Sequence, residues 1–261
     1  MQITNRHWVA AGIGFVVAVA AFFGWSYRAQ APVPVAVPDI TASSTVPVET
    51  TEAATIVAVG PFPINRADTI VSWNFKGAYA GDATLVAQAN ADIVKLTALI
   101  GKGEYDDYDL YNGIANDYSS LGDGKTAYQY YNRSIQIHPS KGLAYTNLAH
   151  MLSRLGARHT AADAYAKAVA VEPRTLENHL ERLTYLTQQF PADNARITAA
   201  FADAANIFGD NASILAIEAQ WLTGEGRYAD AIKAWQTAKM LSPGKDTSSI
   251  DAEIARLQAK Q

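Results

Sequence analysis

The chain has 261 residues, a formal net charge of −4 and no cysteine. Disulfides and thiol chemistry are excluded, and the negative balance supplies no basic field, so nucleic acid is not an expected partner. A length of this order holds one or two domains.

The first seven residues form a short tail, followed over 8–28 by a candidate membrane segment. Trp8 to Tyr27 is an uncharged, mainly apolar run of roughly 20 residues, and a helix of that length rises ~30 Å, the hydrocarbon thickness of a bilayer. Trp8 at one end and Trp25 with Tyr27 at the other suit the two interfaces, and Arg6 and Arg28 bracket the run. The alternative is a cleaved signal peptide, because Ala29, Gln30 and Ala31 spell a small-x-small site. Against it, the run exceeds the usual ~7 to 15 apolar residues and Pro32 follows the site directly. After Arg28 no Lys or Arg occurs before Arg66, so the positive-inside rule favours a cytoplasmic N-terminus and the rest outside the cytoplasmic membrane. Ala10, Gly14 and Ala18 share one face at four-residue spacing, a weak signal for homodimerisation in a run already rich in Ala and Gly.

Residues 29–66 carry Pro32, Pro34, Pro38, Pro47, Pro61 and Pro63 with few charges and few aromatics. From Ala31 to about Asn65 this composition predicts an extended linker with a reach on the order of 100 Å if fully polyproline-like. Residues 67–104 begin with Val71, Trp73, Phe75 and Tyr79, which fit either a short strand or an aromatic segment packed on the first helices. Asp82 then supplies an N-cap for a helix to about Gly101, with Leu85, Ala89, Ile93, Leu96 and Ile100 on one face, expected to cap the repeats after it.

Residues 105–245 repeat. Pro139 and Pro173 stand 34 residues apart, and each, like Pro243, closes a segment with the same internal pattern. With the proline at position 32, position 24 is Tyr131, Tyr165 and Trp235, position 20 is Ala127, Ala161 and Ala231, and position 15 is Gly122, Gly156 and Gly226. A large ring thus always accompanies a small neighbour, as closely stacked helix pairs require, while Gly permits the turn and Pro ends the second helix. The interval from Pro173 to Pro243 exceeds two periods by two residues, an excess placed in Gln188 to Asp193. Phe201, Ala204 and Gly209 then regain positions 24, 27 and 32 of a divergent third repeat, in which Arg182 stands at an apolar position, as Glu218 does in the fourth. Over 246–261, Ile250, Ile254 and Leu257 predict a C-terminal capping helix.

This 34-residue pattern resembles the tetratricopeptide repeat (TPR) family. The resemblance implies an all-α fold, a TPR solenoid of about four helical hairpins with terminal capping helices, preceded here by one transmembrane helix and a Pro-rich linker. It also implies that the first helix of each hairpin lines a concave groove which binds a peptide or a partner helix. By the family register the groove is lined by Asn112, Asn116 and Ser119, then Thr146, His150 and Ser153, then Leu180, Thr184 and Thr187, a mainly neutral set. Family members that hold a chaperone C-terminal carboxylate use Asn and basic residues at set positions. Asn116 and Asn147 match the Asn places, but Asn112, Glu177 and Glu181 occupy the basic ones, so this mode is rejected.

No constellation for chemistry emerges. The histidines His7, His138, His150, His159 and His179 form no paired metal motif, and His179 falls at a packing position. The Gly/Lys turns lack a phosphate-loop pattern, the serines show no nucleophile elbow, and the tyrosine clusters at 105–111 and 128–131 read mostly as packing rings. No cofactor or metal is expected and the chain is read as a non-enzyme. The expected role is a membrane-tethered interaction scaffold or assembly factor of the cell envelope; the alternative is an accessory or regulatory subunit of an envelope enzyme, or an enzyme of unrecognised type.

Overall fold

A computed structural model describes residues 62–261. The membrane segment 8–28, its bracketing charges and most of the Pro-rich linker lie outside the described residues. Among the described residues no helix is long and apolar enough to cross a membrane.

Ten helices succeed one another in these residues: α1 Ala83–Leu99, α2 Asp107–Leu121, α3 Gly124–Ile137, α4 Leu143–Arg154, α5 Arg158–Val171, α6 Leu176–Gln189, α7 Asn194–Phe208, α8 Ala212–Gly224, α9 Tyr228–Met240 and α10 Ser248–Gln258. Packing is mainly between chain neighbours, with α2 on α3, α4 on α5 and α8 on α9, as in a stacked array. Several starts are set by side chains that accept the otherwise orphaned first amides. Asp82 takes those of Thr84 and Leu85, Asp123 that of Thr126, Asp193 that of Arg196 and Asn211 those of Ser213 and Ile214. The hairpin turns pass through Gly122, Gly156 and Gly226 with φ of 93°, 77° and 72°, the left-handed region that a side chain disfavours.

The repeat register is reproduced in the core. Ala127, Ala161 and Ala231 are fully buried beside the buried rings of Tyr131, Tyr165 and Trp235. Rings at this position meet the first helix of the next hairpin: Tyr165 lies 4.9 Å from Tyr185, and Phe201 stacks on Trp221 at 5.8 Å. Burial of side chains of this size contributes ~1.5–3 kcal/mol each. A second periodic contact joins the hairpins through the closing prolines. The Tyr145 hydroxyl donates to the Pro139 carbonyl at 3.1 Å, and one period later His179 Nε2 does the same to Pro173 at 2.9 Å. His179 is buried edge-on to Phe208, as expected for a packing position, and burial pushes its pKa down.

In the third hairpin α6 ends at Gln189 and the turn through Phe190–Asp193 absorbs the extra residues. Arg182, at an apolar register position, is mostly buried and pairs with Asp203 of α7 at 2.9 Å. The ends are closed by α1, which buries Ala89 and Ile93 and lies against α2, and by α10, whose Leu257 is fully buried and whose Asp251 pairs with Lys239.

Phe62 to Asp82 forms a strap along the hairpin turns and the second helices. Of the two readings of the aromatic segment, packing prevails. Among the described residues the segment shows only an isolated bridge, Asn74 to Asp123, and Trp73 and Phe75 lie on the core while Val71 is 93% exposed. Trp73 sits 5.3 Å from Tyr128, and its carbonyl accepts from the Gly124 amide. The Phe75 amide donates to the Gly122 carbonyl and Tyr79 to that of Ser120. Between them Gly77 lies so close to the α2–α3 turn that a Cβ there would sit 2.1 Å from the Ser120 carbonyl oxygen. Arg154 donates to the Lys76 carbonyl and covers the Phe75 ring.

The strap also corrects the linker boundary. Phe62 and Asn65, placed in the linker by composition, are held on the array: the Phe62 amide donates to Asn132, its carbonyl accepts from the Tyr128 hydroxyl at 2.6 Å, and Asn65 bonds Thr160 and Asp163. Asp68 fixes the far end. Helix α5 begins after Ala157, which has no capping side chain. The Asp68 carboxylate supplies that cap from 92 residues earlier, accepting from the amide and hydroxyl of Thr160 at 2.6 Å each and from the amide of His159 at 3.0 Å, with His159 Nδ1 at 3.1 Å. Burial alone raises the Asp68 pKa, but the bonds from Thr160 and His159 outweigh it and hold the carboxyl below its ordinary value.

Candidate functional site

The first helices α2, α4 and α6 share a face, and side-chain hydrogen bonds run across it from one helix to the next. Asn147 Nδ2 on α4 donates to Asn112 Oδ1 on α2 at 3.2 Å. Thr146 Oγ1 on α4 donates to Asn178 Oδ1 on α6 at 3.3 Å, and Asn178 Nδ2 reaches the Ala168 carbonyl. His150 Nε2 on α4 lies 3.5 Å from Glu181 Oε2 on α6.

A second set of bonds rises from the core to this face within each hairpin. The Tyr131 hydroxyl donates to Asn116 Oδ1 at 2.7 Å, and the Tyr165 hydroxyl lies 3.1 Å from His150 Nδ1. Both tyrosines are at position 24 and both partners at position 9, so the ring that fills the core also orients the exposed polar group. Burial pushes both phenol pKa values up, and Glu181 adds to the shift of Tyr165; each remains a neutral donor at physiological pH. Nδ1 of His150 thus faces the Tyr165 hydroxyl and Nε2 faces Glu181.

The predicted groove residues therefore divide. Asn116 and His150 are exposed on the shared face and locked from below; Thr146 is partly exposed. Ser119 and Ser153 are partly exposed and stand beside the Tyr131 and Tyr185 hydroxyls, which bond Asn116 and the Arg158 carbonyl. Leu180 packs partly against the core, and Thr187 returns its hydroxyl to the carbonyls of Leu183 and Thr184. Asn112 is only 4% exposed and is an inter-helix contact, which corrects its reading as a groove-surface residue.

The face is also less neutral than the register predicts, since Glu181 joins it through His150. Asn178 was absent from the predicted lining because its contact is made across helices, and Glu181 was noted only as standing at a basic place of the rejected mode. A tyrosine in place of a wholly apolar ring at position 24 was the available signal that a polar partner stood above it.

Half-burial on α2 and the neighbouring charge of Asp92 raise Asp117 to about 6. Among the described residues no group of His, Asp and Glu is placed to hold a metal ion.

No family model and no curated protein matches the chain. Solved structures do. The APC/C hetero-tetramer Cut9-Hcn1 is similar with a TM-score of 0.48 at 16% identity over 68% of this chain, which spans only 35% of that chain. MamA is similar with a TM-score of 0.48 at 13% identity over 67% of this chain and 93% of its own. A thermophilic TPR protein in Thermus thermophilus is similar with a TM-score of 0.46 at 16% identity over 67% and 93%.

Proposed function

We propose that the chain is a tetratricopeptide-repeat interaction scaffold or assembly factor of the cell envelope, tethered to the cytoplasmic membrane through residues 8–28, with its array outside the cytoplasm. Its ligand is a protein segment, an extended peptide or a helix, laid along the shared face of α2, α4 and α6.

The observation that carries this reading is the pair of bonding networks on that face. Asn116 and His150 are exposed, yet each is oriented by a buried tyrosine hydroxyl, and adjacent helices are cross-linked by Asn147, Thr146 and His150. Polar groups fixed before binding lose little rotamer entropy when a partner arrives, and that cost otherwise weakens such interfaces. The tether and its orientation are supported by the apolar run Trp8 to Tyr27 and by the absence of Lys and Arg between Arg28 and Arg66.

The test is the double variant Asn116→Arg/His150→Arg, which fills the face with two long side chains while leaving Ala127 and Ala161 packed. Cross-linked membranes carrying the intact full-length chain should yield partners with the wild type and lose them with the double variant. Undiminished partner recovery by a folded double variant would remove the face from the account.

A further inference from the structure

The charge on the shared face defines the chemistry of its ligand. We infer that α4 and α6 take a partner segment presenting an arginine or lysine beside an apolar side chain; this rests on the face being the binding surface.

Corresponding positions of the two helices lie one period apart: Leu143 with Glu177, Thr146 with Leu180, Asn147 with Glu181 and His150 with Thr184. Leu143 is a large apolar side chain in the first turn of α4, yet 52% exposed. Glu177, at its register equivalent on α6, is exposed and makes no ion pair among the described residues. Glu181, a turn further on, has 43% of its side chain exposed, and among the described residues its one ion-pair contact is His150. His150 Nε2 lies 3.5 Å from Glu181 Oε2, while Nδ1 of the same ring is held by the Tyr165 hydroxyl.

Several nearby cations are already held by other groups. Lys141 pairs with Asp106, Arg154 is held by the strap, and Arg182 pairs with Asp203. Among the described residues the face therefore presents two carboxylates without a Lys or Arg partner, one turn apart on α6, with an exposed leucine at the equivalent register position of α4. A guanidinium or ammonium of a partner supplies the missing countercharge, and its neighbouring apolar residue covers Leu143. Complementary charge of this kind speeds association and excludes acidic competitors.

The probes are two fluorescein-labelled peptides of equal length with the same Leu, Ser and Gly framework, one with arginines and the other with glutamates at matching positions. Fluorescence anisotropy is read on the full-length chain, on Glu177→Gln/Glu181→Gln, and on Glu104→Gln/Glu225→Gln, which removes equal charge from exposed turns. The arginine peptide is expected to bind at least about tenfold more tightly than the glutamate peptide. It should lose about tenfold on Glu177→Gln/Glu181→Gln and change by no more than about twofold on the control. No binding of the arginine peptide, equal binding of both peptides, or an equal loss on the control overturns the inference.

Asn116→Ala/His150→Ala separates the two levels of the reading. A glutamate peptide that binds better and is lost on this variant overturns the cationic ligand and keeps the face. An arginine peptide indifferent to this variant and to Glu177→Gln/Glu181→Gln removes both.

Discussion

Replacing Asp68 by alanine takes four hydrogen-bond acceptor contacts from the start of α5 at once. The Asp68 side chain is 3% exposed, and Thr160, whose amide and hydroxyl it accepts, is fully buried. Ala157 offers no replacement cap. Losing an N-cap costs ~1 kcal/mol and up to about 2, and a buried amide left without a partner costs ~1–3 kcal/mol. These are overlapping descriptions of one event, so the expected loss is about 2–3 kcal/mol rather than their sum. The His159 amide is only partly covered and recovers its bond from water. For an array of this size the loss corresponds to a fall in Tm of roughly 5–10 °C. Asp68→Asn keeps one acceptor oxygen and should cost about half as much.

The strap and the helix should fail together, since one carboxylate serves both. Hydrogen exchange of the full-length chain should show protection lost at the amides of His159 and Thr160 and at Phe75 and Tyr79 of the strap. Acid should reproduce the effect. A carboxyl whose folded pKa is depressed stabilises fully above its unfolded pKa, near 4, and that stability is lost as pH falls through the lower folded value. A Tm for Asp68→Ala within 1 °C of the wild type, or a loss of protection confined to the strap, would refute the cap.

Three further outcomes concern packing, titration and the tether. Ala161→Leu should cost about 1–3 kcal/mol by overpacking a fully buried site, whereas Ser153→Leu, on a partly exposed position, should cost less; equal urea midpoints would show the register to be misplaced. His179 has a lowered folded pKa, so the unfolded chain takes up protons first and stability should decline as pH falls through about 6.5. His179→Phe should remove that slope from Tm measured against pH, and an unchanged slope would assign it to another group. The full-length chain should stay with membranes through a high-salt wash and be cut between Ala31 and Pro61, leaving a strap-bearing fragment; release of a protein starting near Pro32 would favour the signal-peptide alternative.

The repeats were legible because their contacts are local and periodic. A buried alanine beside a buried ring recurs at Ala127 with Tyr131, Ala161 with Tyr165 and Ala231 with Trp235, so spacing alone identifies the packing. Both flanking helices were legible for the same reason, through apolar stripes that include the buried Ile93 and Leu257. The strap was legible only in part: Trp73 and Phe75 pack as one of the two readings of their segment has it, but Asp68 acquires its role only by meeting Thr160 across 92 residues of chain. One trace of it was present in the sequence: α5 starts after Ala157 without a capping residue, which left its first amides to a distant acceptor.

The site was legible in part. Register placed Asn116 and His150 on the open face, but could not show that Asn147 covers Asn112 or that Glu181 stands beside His150. Those depend on the stagger between neighbouring helices, which a repeat length does not specify.

The most direct measurement is site-specific photo-cross-linking in intact cells. A photoreactive residue replaces Asn116 or His150 on the shared face and, in parallel, Lys167 or Lys233 on the second helices, all exposed positions. The account predicts discrete adducts with the same protein from 116 and 150, and none from 167 or 233. Adducts of equal yield from both pairs, or from 167 and 233 alone, would contradict it and move the interaction to the second helices.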